Sequence, residues 1–328
     1  MARNSLGIYH AIVMLLLSCV LLGLPDHRAI AQDKGAAAPK SSNEINLRPE
    51  YVVGRNAVFD IWSRRETTVE MSFQNNPPRK STSITEVDGQ IRWNIEQVND
   101  DGSAVCVMTI QWLRITRTDK KGKQVNDSRE ASGDNESRYK FIKALTGVAL
   151  RVRCLADGSI EAVEGVDDIA ARVEDEKDAP DELDWIESAT ELATISGIES
   201  AMKVGNTWNR KFEWNHEIGK MHHNVDYKLA GVETIAGIPI ATVTGRGDLR
   251  FDPDLSELGG NNEGMDISLI KGTVEHQIMF DLQRHEAVGR NSIEHRTIRF
   301  ERSTADFSAV QTIEEIIQSQ TLRVREEE

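Results

Sequence analysis

The sequence predicts a β-rich α+β protein with curved antiparallel sheets, built from two related meanders with a helical segment packed between or against them. Two observations predict this class. Apolar and polar residues alternate over several stretches, including Val148–Leu155 and Val274–Leu282, which is the period of a half-buried strand. Turn dipeptides such as Asp101-Gly102 and Ala236-Gly237 separate such stretches. Asp-Gly closes hairpins because it tolerates positive φ.

Two further Asp-Gly pairs are predicted to be turns. Asp88-Gly89 would separate a strand around Val69–Phe73 from a strand around Ile91–Ile95. In LADGSIEAVEG, residues 155–165, glycines and an acidic residue raise the question of a chemical site. The alternation enters this stretch and resumes after it, so a hairpin around Asp157-Gly158 is the simpler interpretation.

Helical spacing is concentrated in the middle of the chain. Asn135–Leu145 and Val166–Val173 fit short helices. Pro180–Met202 fits a longer helix, because Pro180 suits a first helical turn and apolar residues then recur every three or four positions. Such an apolar stripe usually packs on a sheet.

The chain repeats itself weakly. VGRNAVFDIW (53–62) is similar to VGNTWNRKFEW (204–214), and the spacing of Trp93, Ile95 and Val98 matches that of Tyr227, Leu229 and Val232. We interpret this as a duplicated meander, with pseudo-repeats at about 50–118 and 203–250 and a helical insert at about 166–202. Chance similarity between antiparallel strands is the alternative.

Three stretches carry a family resemblance: LTGVALRVRCLADGSIEAVEGVDD (145–168), KVGNTWNRKF (203–212) and VDYKLAGVETIAGIPIATV (225–243). Together they resemble an uncharacterised family of secreted proteins common in planctomycete bacteria. The resemblance covers most of the chain after residue 50. It implies an export signal and a β-rich fold, and it brings no activity and no catalytic residues.

The amino terminus predicts export. Arg3 precedes an apolar run from Ile8 to Leu24, Pro25 ends that run, and Ala29-Ile30-Ala31 forms a small-x-small cleavage signal. We therefore expect a signal peptide at 1–31, a flexible leader at 32–48 and one β-rich domain at 49–328, in the periplasm or outside the cell. An uncleaved anchor is the rival, although the run falls short of a full membrane span. After cleavage the protein would not be integral to the membrane.

The net charge of the chain limits the classes of partner, and its cysteines raise the question of a disulfide. The formal net charge is −14, and an acidic surface disfavours nucleic acid as a partner. Cys106 and Cys154 follow the predicted signal peptide. In an oxidising compartment they are a candidate disulfide, and two buried free thiols are the equal alternative.

The established catalytic motifs are absent from the sequence. It holds no GxSxG, P-loop, CxxC or HExxH pattern, and we predict no cofactor. Weak metal candidates are His216, His222 and His223, although adjacent histidines on a strand must face opposite sides. Asp252, Asp254 and Glu263 match part of a calcium-loop count, but Glu257 stands where that loop needs glycine.

Three functional hypotheses follow. The first is an exported non-enzymatic protein that binds a partner or an apolar ligand on a curved sheet. Four tryptophans could line such a concavity or belong to an ordinary core: Trp62, Trp93, Trp208 and Trp214. The second is a hydrolase whose residues converge only in the fold, which requires a cleft with perturbed carboxylates or histidines. The third is a purely structural envelope protein.

Overall fold

The computed structural model of the chain describes residues 44–74, 76–165, 201–216, 219–254, 265–304 and 307–325. Within these residues the chain forms twelve antiparallel strands and one helix. The first six strands are β1 Asn56–Phe73, β2 Arg79–Val98, β3 Ala104–Asp119, β4 Gly122–Asp127, β5 Ala149–Cys154 and β6 Ile160–Glu164. The other six are β7 Thr207–His216, β8 Gly219–Ile235, β9 Ile238–Pro253, β10 Met265–Asp281, β11 Glu286–Thr304 and β12 Phe307–Arg325.

All twelve strands belong to one sheet rather than to the several sheets expected. Its order is β6-β5-β3-β2-β1-β12-β11-β10-β9-β8-β7, and β4 pairs with β3. Most neighbours in the sheet are also neighbours in sequence, joined as hairpins. The exception at the centre is the pairing of β1 with β12, which joins the amino-terminal strands to the carboxy-terminal ones over sixteen residue pairs from Val58 to Phe73. The prediction of a β-rich antiparallel fold is confirmed.

The two predicted meanders begin with the same local geometry. The Gly54 amide donates to the Ile95 carbonyl at 2.9 Å, and the Gly205 amide donates to the Leu229 carbonyl at 2.8 Å. Both glycines have positive φ, 82° and 95°, a conformation that other residues rarely adopt. A bulge also follows Ile95 and Leu229 in their pairings with the next strand. These shared features are what two copies of one meander would have.

Most of the predicted turns are present, but Asp88-Gly89 is not one of them. Gly102 and Gly237 have positive φ at hairpin turns. Gly89 instead lies in the middle of β2. A Cβ atom there would approach Leu113 Cδ2 to 2.7 Å, so the glycine permits close packing of side chains from β1 and β3. The turn that joins β1 to β2 comes earlier, before Arg79.

The 155–165 stretch is the hairpin between β5 and β6. Gly158 has a φ of 84°, and Asp157 Oδ1 accepts hydrogen bonds from the Ser159 amide at 2.9 Å and the Ser159 hydroxyl at 2.5 Å. The carboxylate is therefore used to hold the turn.

One of the three expected helices lies within the described residues. Helix α1 spans Glu136–Leu145, and the side chain of Asn135 caps it by accepting from the Arg138 amide at 2.9 Å. The expected helix at 166–173, and that at 180–202 up to residue 200, lie outside the described residues. Met202 is not helical but forms an isolated bridge with Ile45.

Two apolar clusters occupy one face of the sheet, which we call the inner face. The first apolar cluster joins α1 to β1, β2, β3 and β5, and includes Ile91, Met108 and Ile142. The second apolar cluster joins β8 to β11, and includes Leu229 and Phe280. Strand alternation places both clusters on the same side of the sheet, at its two ends.

A segment that we call the strap, residues 44–55, links the two apolar clusters across one end of the inner face. Ile45 pairs with Met202, and Leu47 is fully buried in the second cluster. Further along, the Glu50 amide donates to the His285 carbonyl at 2.9 Å, and Tyr51 packs against the first cluster. Residues 44–48 of the predicted flexible leader 32–48 are therefore part of the packed structure, because Leu47 is a core residue of the second cluster.

The strap yields a direct stability prediction. Leu47→Ala should lower the free energy of unfolding by about 2–5 kcal/mol, since it leaves a cavity in the second cluster. Val53→Ala, in the same strap at a side chain that is 61% exposed, should change it by about 0.5 kcal/mol or less. Urea unfolding followed by circular dichroism measures both. Equal small effects would mean that the strap does not hold the core.

Candidate binding site on the inner face

The middle of the inner face is polar, between the two apolar clusters. We call this region the polar block, and all its members except Thr67 and Glu294 are less than a tenth exposed. Its members are Ser63, Arg65, Thr67, His223, His276, Arg290, Ser292, Glu294, Arg296, Glu315, Ser319 and Thr321. They come from β1, β8, β10, β11 and β12, so the block exists only once the sheet has assembled.

Strand register places part of the block in a single row across the sheet. The row runs through Trp208, Tyr227, Gly245, His276, Ser292, Ser319, Ser63 and Val87. Its centre consists of three serines on adjacent strands β11, β12 and β1. Serine side chains are short, so the longer side chains of the neighbouring rows extend farther from the sheet than those of the three serines.

An ion-pair network lies on one side of the serine row. Arg296 Nε donates to Glu315 Oε2 at 2.6 Å, and Thr67 Oγ1 donates to Glu315 Oε1 at 3.1 Å. Arg65 Nε stands 3.9 Å from Glu315 Oε1, and Arg296 Nη1 stands 3.3 Å from Glu294 Oε1. A carboxylate held by two guanidinium groups and a hydroxyl compensates the cost of its own burial.

Sheet curvature brings β8 into contact with this network. His223 Nε2 on β8 lies 4.0 Å from Glu294 Oε2 on β11, although β9 and β10 separate the two strands. Three strand spacings amount to about 14 Å in a flat sheet. The side chains meet because the sheet curves around its inner face.

An aromatic stack leads from the edge strand to the serine row. The rings of Trp208 and Tyr227 lie 5.5 Å apart at 19°, and those of Tyr227 and His276 lie 5.9 Å apart at 12°. Gly245 makes this possible, since a Cβ atom there would come within 2.7 Å of Tyr227 Cε1. The tyrosine ring therefore lies over β9 and reaches the imidazole on β10.

The ionisable groups of the block have strongly perturbed pKa values. Burial would raise the pKa of Glu315, but Arg296 and Arg65 outweigh it and lower the pKa to about 2. Burial raises the pKa of Glu294, opposed in part by Arg296. Burial also lowers the pKa values of His223 and His276, with Arg290 contributing to both. The block thus combines an ionised carboxylate with neutral imidazoles.

The histidines proposed as metal ligands do not converge. His223 is buried on the inner face, whereas His222 lies on the opposite face of β8, as adjacent strand residues must. The two ring nitrogens of His222 each lie 3.1 Å from a different carboxylate, Glu213 and Asp252, which places those carboxylates on opposite sides of the ring. The backbone of His216 belongs to the β7–β8 hairpin, paired with Gly219. No group of three or more metal-ligating side chains is found in the described part of the chain.

Of the calcium-loop candidates, Asp252 is in β9 and Asp254 directly follows that strand. Asp252 Oδ1 accepts from Arg250 Nε at 3.0 Å, so its carboxylate pairs with a strand neighbour. Glu263 lies outside the described residues. A calcium site therefore stays a prediction without structural support.

Cys106 and Cys154 are both buried free thiols on adjacent strands and are not joined by a disulfide. Cys154 lies opposite Ala104, and Cys106 lies opposite Val152, so the two cysteines are diagonal neighbours. The hydrogen bond between their side chains, together with burial, raises the pKa of Cys106. The thiols are thus placed together in reduced form, and the disulfide stays a prediction.

Tryptophan positions correct two expectations. Trp93 belongs to the first apolar cluster and Trp208 packs against the second, but Trp62 alternates with Ile61 and Ser63 and faces outward. Regular strand alternation from Cys106 would place Trp112 on the inner face. A bulge between Gln90 and Ile91 in the β2–β3 pairing moves it to the outer face, where the Arg129 guanidinium lies 3.9 Å above its ring. The side chain of Trp214 lies outside the described part.

His276 lies in the alternating stretch Val274–Leu282 that the sequence predicts as a strand, but the sequence pattern did not reveal most of the polar block. His276 Nδ1 is buried and has no hydrogen-bond partner among the described residues. A usable signal was present in β11: Arg290, Ser292, Glu294 and Arg296 alternate on the face that should be apolar. Polar residues on both faces of a central strand indicate a buried polar site.

Comparison with known proteins gives no family. No protein-family model matches the chain, and no curated protein matches it. Among solved structures, DynF of the dynemicin biosynthesis pathway of Micromonospora chersina is 7% identical, with a TM-score of 0.16, over 92% of this chain and 94% of that chain. OccK5 (OpdH) of Pseudomonas aeruginosa is 8% identical, with a TM-score of 0.19, over 82% of this chain and 99% of that chain.

An outer membrane channel from Pseudomonas putida F1 is 8% identical, with a TM-score of 0.16, over 85% of this chain and 99% of that chain. TM-scores this low support no conclusion about fold or function. Within the described residues, no helix has the length and hydrophobicity needed to cross a membrane.

The Glu315 ion pairs can be tested by a single isosteric change. Glu315→Gln should cost about 3–5 kcal/mol of unfolding free energy, because it leaves Arg296 and Arg65 buried without their shared carboxylate. Glu314→Gln, at the exposed neighbouring position on β12, should change stability by about 0.5 kcal/mol or less. Urea unfolding at pH 7.5 compares the two. Similar values for both variants would show that the network is energetically unimportant.

The lowered pKa values of His223 and His276 predict a pH dependence of stability. The unfolded chain binds protons at these histidines below about pH 6.5 while the folded chain does not, so stability should fall as pH drops from 7.5 to 5.5. Each histidine contributes up to about 1.4 kcal/mol per pH unit. His276→Phe should reduce this slope, whereas His295→Phe at an exposed imidazole serves as the control. Unfolding free energies at several pH values that stay flat would contradict the burial of neutral imidazoles.

Glu315 and Glu294 change the stability at lower pH than the histidines do, and their effects on stability have opposite signs. The stability that Glu315 contributes is present above about pH 4.5 and is lost as pH falls toward its pKa of about 2. The raised pKa of Glu294 has the reverse sign, since the folded chain takes up that proton before the unfolded chain does. Acid unfolding curves of Glu315→Gln and Glu294→Gln should therefore shift in opposite directions relative to the wild type.

Proposed function

We propose that this chain is an exported, non-enzymatic binding protein that takes up an apolar ligand on the inner face of its curved sheet. The observation that supports it most is the placement of the polar block between two apolar clusters. A buried ion network of this kind is weak evidence for stability, since well-packed apolar residues would serve as well or better. Departures from apolar packing are expected where a protein keeps residues for function.

The aromatic stack suggests where the ligand would enter. Trp208 lies on β7, the last strand of the sheet, and is only partly buried. From there the ring of Tyr227 stacks on the ring of Trp208 and on the imidazole of His276, which lies in the serine row. Aromatic rings offer a large apolar contact surface, and their polar atoms remain able to hydrogen-bond. Trp208 Nε1 has no hydrogen-bond partner among the described residues.

A small ligand fits this site better than a protein partner. The polar block and the stacked rings lie inside the curve of the sheet, and the strap crosses one end of the inner face. Ligand sites are commonly concave and mainly apolar, with a few polar groups that fix orientation. The predicted signal peptide at 1–31 would deliver the protein to the compartment where such a ligand is met.

A fluorescent apolar probe tests this function. N-phenyl-1-naphthylamine should bind saturably, dodecanol should displace it, and Trp208→Leu should weaken binding about tenfold through loss of aromatic contact. Trp62→Leu, which changes an outward-facing tryptophan, is the matched control and should bind as the wild type does. Absence of saturable binding, or equal losses in both variants, would refute the proposal.

A hydrolase is the second candidate, and one observation favours it. Glu294 and Glu315 have pKa values shifted in opposite directions, the pattern of an acid paired with a base. One observation opposes a hydrolase. Both oxygens of Glu315 already accept hydrogen bonds, from Arg296 and Thr67, so this carboxylate is not available as a base. We expect no turnover of chromogenic esters or glycosides above that of Glu294→Gln. A higher wild-type rate would support the hydrolase instead.

A further inference from the structure

We propose that the polar block binds an oxyanion, a carboxylate or phosphate group, over the serine row between Arg290 and Arg65. The inference deepens the proposed function and rests on it for the apolar part of the ligand: the bound molecule would be an anionic amphiphile. Its anionic group would lie over Ser292, Ser319 and Ser63, and its apolar part would extend along the aromatic stack toward β7.

The charges of the block favour an anion. Three buried arginines, Arg65, Arg290 and Arg296, face two carboxylates, Glu294 and Glu315. Glu315 is ionised, and burial raises the pKa of Glu294, which weakens the negative charge on that side. Among the described residues, the block therefore holds more guanidinium groups than carboxylates, and guanidinium groups in a region of low dielectric attract an anion strongly.

Two arginines act on the buried histidines. Burial lowers the pKa of His223, with Arg296 and Arg290 adding to the effect, and burial lowers the pKa of His276, with Arg290 adding to it. Both imidazoles are therefore neutral, and a neutral imidazole can donate one N–H to an anion. The carboxylate of Glu294 lies 4.0 Å from His223, on the far side of the serine row from Arg290.

Two buried polar atoms point independently to a ligand. His276 Nδ1 and Thr321 Oγ1 have no hydrogen-bond partner among the described residues, and their residues are 9% and 2% exposed. Thr321 lies opposite Arg290 in the β11–β12 pairing, and His276 lies opposite Ser292 in the β10–β11 pairing. Thr321 thus lies beside the serine row on the Arg290 side, and His276 lies in the row itself. Buried polar groups are almost always hydrogen-bonded, so such atoms require a partner.

The serine row also offers hydrogen-bond donors to an oxyanion. Its three hydroxyl groups lie in one row across the sheet, with Arg65 and Arg290 in the adjacent rows. Arginine binds carboxylate and phosphate through paired N–H donors, and hydroxyl groups add further hydrogen bonds. The donors come from three strands of one sheet, which holds them in fixed positions.

The test uses the full mature chain at pH 8 with three probes: inorganic phosphate, dodecanoate and dodecanol. Thermal shift and calorimetric titration should show saturable binding of phosphate, tighter binding of dodecanoate, and weaker binding of dodecanol. Because bound ligand stabilises only the folded state, the melting temperature should rise with each anion.

Two conservative variants locate the anion. His276→Phe keeps the ring stack on Tyr227 and removes Nδ1, and Thr321→Val removes a hydroxyl that has no hydrogen-bond partner within the described part of the chain. Both should fold at least as stably as the wild type without ligand, yet bind phosphate and dodecanoate about tenfold more weakly. His295→Phe and Thr312→Val, on the outer face of β11 and β12, are the controls and should bind as the wild type does.

The outcomes separate this inference from the proposed function. If dodecanol binds as tightly as dodecanoate and phosphate does not bind, the anion site is refuted and the apolar site stands. If phosphate binds and dodecanoate binds no tighter, the anion site stands and the apolar ligand is refuted. Anion binding that is unchanged in His276→Phe and Thr321→Val refutes the location, and failure of all three probes refutes both proposals.

Discussion

The structure depends on how a single sheet buries one of its faces. Within the described residues the twelve strands form one sheet, and its curvature brings the side chains at the centre of the inner face together. At that centre Arg296 and Arg65 hold Glu315 in a buried ion-pair network. An apolar cluster lies on either side of this charged centre, and the aromatic stack leads from β7 to the serine row beside it.

Much of the fold follows from the sequence, because strand alternation and glycine turns are local signals. The predicted hairpin at 155–165 and the short helix predicted at Asn135–Leu145 both appear in the structure. The failures have local physical causes. Gly89 serves close packing rather than a turn, a bulge turns Trp112 to the outer face, and Leu47 is a core residue within a polar leader.

The site was less predictable, because its residues come from strands that are distant in sequence. Arg65 and Glu315 are 250 positions apart, and they approach only because β1 pairs with β12. Alternating polar residues in β11 showed that one face of a central strand is not apolar. Which partners those residues meet depends on the register of the pairings between strands, which local patterns do not specify.

The central claim is that the charged centre of the inner face is kept for a ligand and not for stability. The triple variant Arg65→Met/Arg296→Met/Glu315→Leu replaces both arginines and the carboxylate that they share with apolar side chains of similar volume, a change that is often neutral or stabilising in a buried site. Calorimetric titration of this variant with dodecanoate, beside its unfolding free energy, is the most direct measurement. We expect a folded protein of at least wild-type stability whose affinity for dodecanoate has fallen tenfold or more. A stable variant that binds dodecanoate as the wild type does would contradict the claim.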